Sequence, residues 1–295
     1  MTLVTAWVRQ NSSLHELVVA SDSRIGGGGA WDACPKIVPL PRPATVIAMS
    51  GYAVESYAFL LHAINTCHLL EGNRVGRTDL RYLAKKLRDT YADFPRHFHK
   101  LVPWEKKPKA PNLKVALFGW SWRRLTFEGY SFTYDRSGAL IMGSIGTLAT
   151  HRSYPHYFMG DAESDARARL NILAERRKLP IPLRGDPDAP NIAANAFYDW
   201  EPLEILLDVI GDRNMHSVGG VPQVARVYQN GECELFVWRA SDGTDHFGGR
   251  PVQAAERFDR RIIEFGHEGV KVSFSDRSIY FGGGVSGSPM SDQAN

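Results

Sequence analysis

The chain opens on an apolar run, Thr2 to Arg9, rich in β-branched and aromatic residues. The polar stretch "NSSLH" turns it, and "ELVVASDS" continues as a second strand, which predicts a hairpin. After the glycines Gly26–Gly29, "KIVPLP" and "TVIAMSG" read as two further strands, separated by Pro41 and Pro43, which cannot sit inside a central ladder. Beyond Gly51 the period becomes helical: Tyr52, Ser56, Phe59, Ala63 and Cys67 recur at helical spacing, with Gly72 as the stop. Arg77 to Lys100 predicts a second amphipathic helix. Strands return in "LKVALFGW", "LTFEGYSFTYD" and "GALIMG", and a loop rich in Ser, Thr and His leads to "HYFMGD".

The next helix, "DAESDARARLNILAERRK", has acids at its start and bases at its end, matching the helix dipole. "LPIPLRGDPDAPN" is too proline-rich for regular structure, and "DWEPLEILLDVIGD" is helical again. The Asn230–Gly231 centre of "VPQVARVYQNGECELFVWR" marks another hairpin. A last helix and a weak strand pair are expected within Pro251 to Phe281, and "GGGVSGSPMSDQAN" is expected to be disordered. Blocks of strands and helix pairs, rather than strict alternation, predict an α+β domain of packed sheets with helix pairs outside. The boundaries read as a core over 2–244, a helix and strand extension over 245–281 and a tail over 282–295.

Composition narrows the function classes. A hydrophobic fraction of 43% over 295 residues supports a sizeable core. Thirty-five basic against 32 acidic residues, net +3, give no electrostatic case for a nucleic-acid partner. Three cysteines without a Cys-x-x-Cys pair indicate neither a disulfide framework nor a zinc site and favour a reducing compartment. No apolar run reaches the ~20 residues of a membrane span, and the N-terminus lacks a signal-peptide pattern. The expected setting is cytoplasmic, without a membrane partner. His97 and His99 lie two apart, a spacing that does not place both on one helix face, and no metal or other cofactor is expected.

Asp22 and Lys36 stand at the two ends of the glycine-containing segment. A phosphate-cradling loop would need Gly-Lys-Ser/Thr at the end of its glycines, whereas Ala30, Trp31 and Asp32 follow here. A surface ion pair among Asp22, Arg24 and Lys36 is the bland reading of these charges. Their positions relative to Thr2 support another. Thr2 opening the first strand, "VASDSR" closing the second, "CPKI" opening the third and "AMSG" closing the fourth before a long helix resemble the proteasome-type β subunits, the threonine branch of the N-terminal-nucleophile hydrolases.

The resemblance implies a four-layer αββα sandwich, an N-terminal-nucleophile hydrolase fold, and a threonine peptidase or amidohydrolase. Loss of Met1 would expose Thr2, whose hydroxyl attacks an amide carbonyl while its α-amine, pKa ~7.7 to 8.0, takes the proton. Lys36 would tune both groups, Asp22 would orient Lys36, and the Gly51 N–H would hold the oxyanion. Asp161 stands where the family has a serine, with Ser164 nearby, and Asp212 and Ser217 correspond to its supporting Asp and Ser. Arg24, Met49 and Ala53 fall at substrate-binding positions, Met49 implying a taste for apolar side chains. Implied partners are a peptide or protein substrate, copies of the chain in a homo-oligomeric ring, and an ATPase or adaptor. A non-catalytic ring subunit and a small-molecule amidase are the alternative expectations.

Overall fold

The computed structural model describes residues 2–11, 14–26, 29–94, 112–148, 154–179, 196–256, 261–266 and 269–274. Strands β1 (Leu3–Asn11) and β2 (Leu14–Ser21) form the expected antiparallel hairpin, Val4 opposite Ser21. They sit inside a five-stranded sheet in the order β10-β1-β2-β11-β12, completed by β10 (His156–Gly160), β11 (Gln223–Tyr228) and β12 (Cys233–Leu235). A second sheet follows chain order through β5 (Ile37–Pro39), β6 (Thr45–Gly51), β7 (Leu113–Ser121), β8 (Thr126–Tyr134) and β9 (Leu140–Ser144). Between the sheets in sequence, β3 (Ile25–Gly26) and β4 (Ala30–Trp31) pair as a small ribbon.

Strand alternation sends successive side chains to opposite faces, and the buried residues sort accordingly. Val4, Ala6, Val8, Leu17 and Val19 of the first sheet meet Val46, Ala48, Ala116 and Phe118 of the second in one core. The other face of the second sheet, with Ile47, Met49, Val115 and Leu117, packs on α1 (Ala53–Leu69) and α3 (Leu80–Thr90). The other face of the first, with Leu3, Trp7, Val18 and Ala20, packs on α4 (Glu163–Arg176) and α5 (Glu201–Gly211). The molecule is thus α+β, with each helix pair against one sheet.

Three details correct the expectations. Gly72 does not end the first long helix: α1 stops at Leu69 because Leu70 turns extended and Asn73 Nδ2 donates to Cys67 O at 3.2 Å, while Gly72 lies inside the short α2 (Glu71–Arg74). The second helix starts at Leu80 rather than Arg77, because Asp79 is its N-cap and accepts from Arg81 N–H; residues 95–100, with His97 and His99, lie outside the described residues. The helix expected after Pro251 is absent among the described residues. That stretch contributes to a third sheet, β15-β14-β13-β16-β17, made of β13 (Val237–Arg239), β14 (Asp245–Phe247), β15 (Arg250–Pro251), β16 (Arg261–Gly266) and β17 (Gly269–Phe274). In β16 the buried Ile262 and Ile263 are β-branched, which favours a strand. This sheet begins at Val237, and its Trp238 and Ile263 join the core under α5. The tail 282–295 lies outside the described residues.

Among the described residues no helix is long and apolar enough to cross a membrane.

Candidate active site

Thr2 stands at the mouth of β1, where three separate segments fix its position. On one side β10 runs antiparallel, and the Asp161 N–H donates to Thr2 O at 3.0 Å. That approach depends on Gly160, whose φ is +132° and where an added Cβ would fall 1.9 Å from Thr2 O. On the other side the end of β2 supplies Asp22, whose Oδ1 accepts the Leu3 N–H at 3.1 Å. The third segment, 32–37, leads into β5 and delivers Lys36.

Lys36 Nζ donates to Thr2 Oγ1 at 2.6 Å and to Asp22 Oδ1 at 2.9 Å. Thr2, Asp22 and Lys36 are respectively 3%, 0% and 0% exposed, so their interactions are little screened by water. The Asp22 carboxylate is saturated with donors: besides Lys36 and Leu3, the N–H groups of Arg24 and Gly219 reach Oδ2 at 3.1 Å each. Loss of water pushes the Asp22 carboxyl above its ordinary value and the Lys36 ammonium below its own; their mutual attraction and hydrogen bond oppose both shifts. We take the pair as ionised at neutral pH, because four donors converge on the carboxylate. An ammonium on Oγ1 favours removal of the hydroxyl proton.

Gln223, at the start of β11, is a site residue the sequence does not reveal. Its Oε1 accepts the Lys36 N–H at 3.0 Å, while its Nε2 donates to Cys34 O at 2.8 Å and Asp22 O at 3.3 Å. One buried amide thus ties the backbones that carry Asp22 and Lys36. The only sequence signal is a polar residue opening an apolar strand. Gly219 is a second such residue, since it acts through its backbone N–H.

The remaining expected residues fall in several places. Gly51 ends β6 with φ +90°, and an added Cβ would lie 2.3 Å from Asn112 O, so glycine is required there for the corner into α1. Strand register places its N–H on the β6 edge facing β5, where the Met49 N–H donates to Lys36 O at 3.0 Å. The Met49 side chain itself is 3% exposed and packs in the core under α1, and Ala53 is the first residue of that helix. Arg24 is clamped to Asp32 by two hydrogen bonds of 2.6 and 2.8 Å, and its guanidinium also reaches His216 O and Val218 O. The charges of the bland reading therefore separate into an exposed Arg24–Asp32 pair and a buried Asp22–Lys36 pair.

Asp161 is exposed at the end of β10, and its charge adds to what favours the Lys36 ammonium. Ser217 lies between His216 and Val218 in the turn that receives Arg24. Asp212 caps the end of α5, where Arg169 beside it holds its carboxyl below the usual carboxylate range. It borders a groove between α4, α5 and Phe265 whose lining does not include Thr2, Asp22 or Lys36. No family model matches this chain, and no curated protein matches it.

Proposed function

We propose that the protein is a threonine-type amide hydrolase, acting on peptide or protein substrates from an N-terminal Thr2. The observation that carries this reading is the buried Lys36 ammonium bridging Thr2 Oγ1 and Asp22. Supporting it, the two core sheets flanked by helix pairs fit a four-layer αββα N-terminal-nucleophile arrangement.

In the proposed reaction the Thr2 hydroxyl proton passes to the α-amine, and Oγ1 bonds to the amide carbonyl carbon. The carbonyl oxygen becomes an oxyanion, for which the Gly51 N–H is the donor. Collapse breaks the C–N bond, and the ammonium proton leaves with the amine product. Water then hydrolyses the Thr2 ester, with the amine again accepting a proton, and the hydroxyl is restored. Lys36 stays charged throughout and lowers the energy of the deprotonated Oγ1.

The amine exists only when nothing precedes Thr2. Intact-mass measurement of purified protein should give a chain starting at Thr2; quantitative retention of Met1 would remove the base and with it this mechanism. We further propose a cytoplasmic, self-compartmentalising ring, for which Val54, Leu61 and Leu69 on α1, 70%, 58% and 85% exposed, supply apolar surface to cover. Native mass spectrometry should show a closed homo-oligomer; a monomer at micromolar concentration would contradict the ring. One observation favours a second reading, a non-catalytic ring subunit: the carboxylate corresponding to the family's supporting Asp, Asp212, is engaged by Arg169.

A further inference from the structure

The third sheet touches the segment that carries the proposed catalytic pair. Between β14 and β15 the chain turns through Gly248 and Gly249, with φ of +59° and +90°. At Gly249 an added Cβ would lie 2.6 Å from Ser23 Cβ and 3.3 Å from Cys34 O; at Gly248 it would lie 3.9 Å from Pro35 Cβ. Ser23 follows Asp22 directly, and Cys34 and Pro35 precede Lys36. The two halves of the segment are joined where Cys34 N–H donates to Ser23 O at 3.1 Å.

Ser23 is also held from its other side. Its Oγ donates to Asp32 O at 2.5 Å and accepts the Val221 N–H at 2.9 Å, and a Cβ on Gly220 would fall 2.3 Å from that oxygen. Ser23 is therefore seated between two glycine turns that only glycine can bring so close. The turn at Gly249 has a firm base, because Trp238 of β13 and Ile263 of β16 are buried in the core with Trp200 and Leu206. Movement of Ser23 would pass through one peptide unit to Asp22, and through the Cys34 hydrogen bond toward Lys36.

We propose that the third sheet braces the Asp22–Lys36 segment and that Gly249 is a positioning residue for Thr2, Asp22 and Lys36, an inference that rests on the hydrolase reading above. The sheet is then a working part of the site rather than an appendage. Its effect is on geometry: a displacement of about 1 Å in such a group can cost on the order of 100-fold in rate.

The test compares two glycines of the same sheet. Gly249→Ala introduces a Cβ into Ser23, whereas Gly243→Ala, at φ +84° in the preceding turn, places its Cβ where nothing lies within 4 Å. Both strain the backbone, but only the first presses on the segment. With a β-lactone probe, Gly249→Ala should lower the maximal labelling rate about 10- to 100-fold while half-saturation stays within about twofold, and Gly243→Ala should stay within about twofold in both. An activity-independent readout is alkylation of Cys34, 1% exposed, mapped by peptide mass. It should rise about tenfold in Gly249→Ala, with Cys67 alkylation unchanged as the control for global opening.

If the wild type takes no probe but Gly249→Ala unmasks Cys34, the brace stands and the hydrolase reading falls. A folded Gly249→Ala with neither change, or equal losses in Gly243→Ala, overturns the brace. Should Gly249→Ala not fold, the double variant Ser23→Gly with Gly249→Ala, which removes the Cβ met at 2.6 Å, is measured by the same readouts: recovery of the fold supports the brace, and no recovery overturns it.

Discussion

Thr2→Ala is expected to abolish amide turnover, lowering the rate by about 10⁴-fold or more, while the protein remains folded and assembled. The size of the effect follows from the role: the substitution removes the atom that forms the bond to substrate, so no neighbouring group can take its place. Retention of the fold follows from how Thr2 is held. Its carbonyl accepts from Asp161 N–H, and the next residue, Leu3, donates its N–H to Asp22. These backbone contacts survive loss of the hydroxyl. The 2.6 Å hydrogen bond from Lys36 to the hydroxyl is lost, and Lys36 keeps Asp22. Alanine is also small enough for methionine removal. Thr2→Ser, which keeps the hydroxyl, should retain measurable activity; equal loss in both variants would mean that β1 had moved.

The second large effect separates Lys36 from Asp22. Lys36→Ala should lower the labelling rate nearly as far as Thr2→Ala, because the hydroxyl loses the cation that favours its deprotonation. Its effect on stability should be smaller, since Asp22 keeps three backbone N–H donors. Asp22→Asn should show the reverse order. Both carboxylate oxygens accept from two donors each, so the amide NH₂ must face two N–H groups whichever way it turns. It also leaves Lys36 buried without a counter-charge, a change that typically costs about 3–5 kcal/mol. The rate loss should be smaller than in Lys36→Ala, because the Lys36 amine that donates to Thr2 Oγ1 is still present.

The pH profile fixes the sign of this argument. Burial already lowers the Lys36 pKa below 10.5, with Asp22 the strongest influence opposing the fall. Labelling, which needs Lys36 charged, should therefore fail on the alkaline side below the pH expected of an ordinary lysine. In Asp22→Asn the opposing attraction is gone, so the alkaline limb should shift further toward neutrality. A limb that stays in place or moves upward would show that Lys36 does not act as the cation on Thr2.

The sequence carried the strand ends well and the supporting contacts poorly. Turn residues and apolar runs mark β1, β2, β5 and β6, at whose ends Thr2, Asp22 and Lys36 stand. Gln223, Gly160, Gly219 and Gly249 carry no such signal. They act through amides, backbone N–H groups or the absence of a side chain, on partners far along the chain, and only the folded register shows what they meet. The same reason explains Met49 and Asp212: a matching position along the chain did not reveal that one faces α1 and the other Arg169. Of the third sheet the sequence predicts only a weak strand pair beside a helix within Pro251 to Phe281, because β13, β14 and β15 are only two or three residues long and β13 lies parallel to β16, a pairing that local turn signals cannot announce.

The central claim is that Thr2 is a nucleophile, and the most direct measurement is to treat the native assembly with a β-lactone probe and map the adduct by peptide mass. The account predicts one adduct per chain, an ester on the hydroxyl of an N-terminal Thr2, absent from Thr2→Ala and slowed in Lys36→Ala. An assembled protein with a free Thr2 amine that takes no probe, or takes it on another residue, would contradict the account.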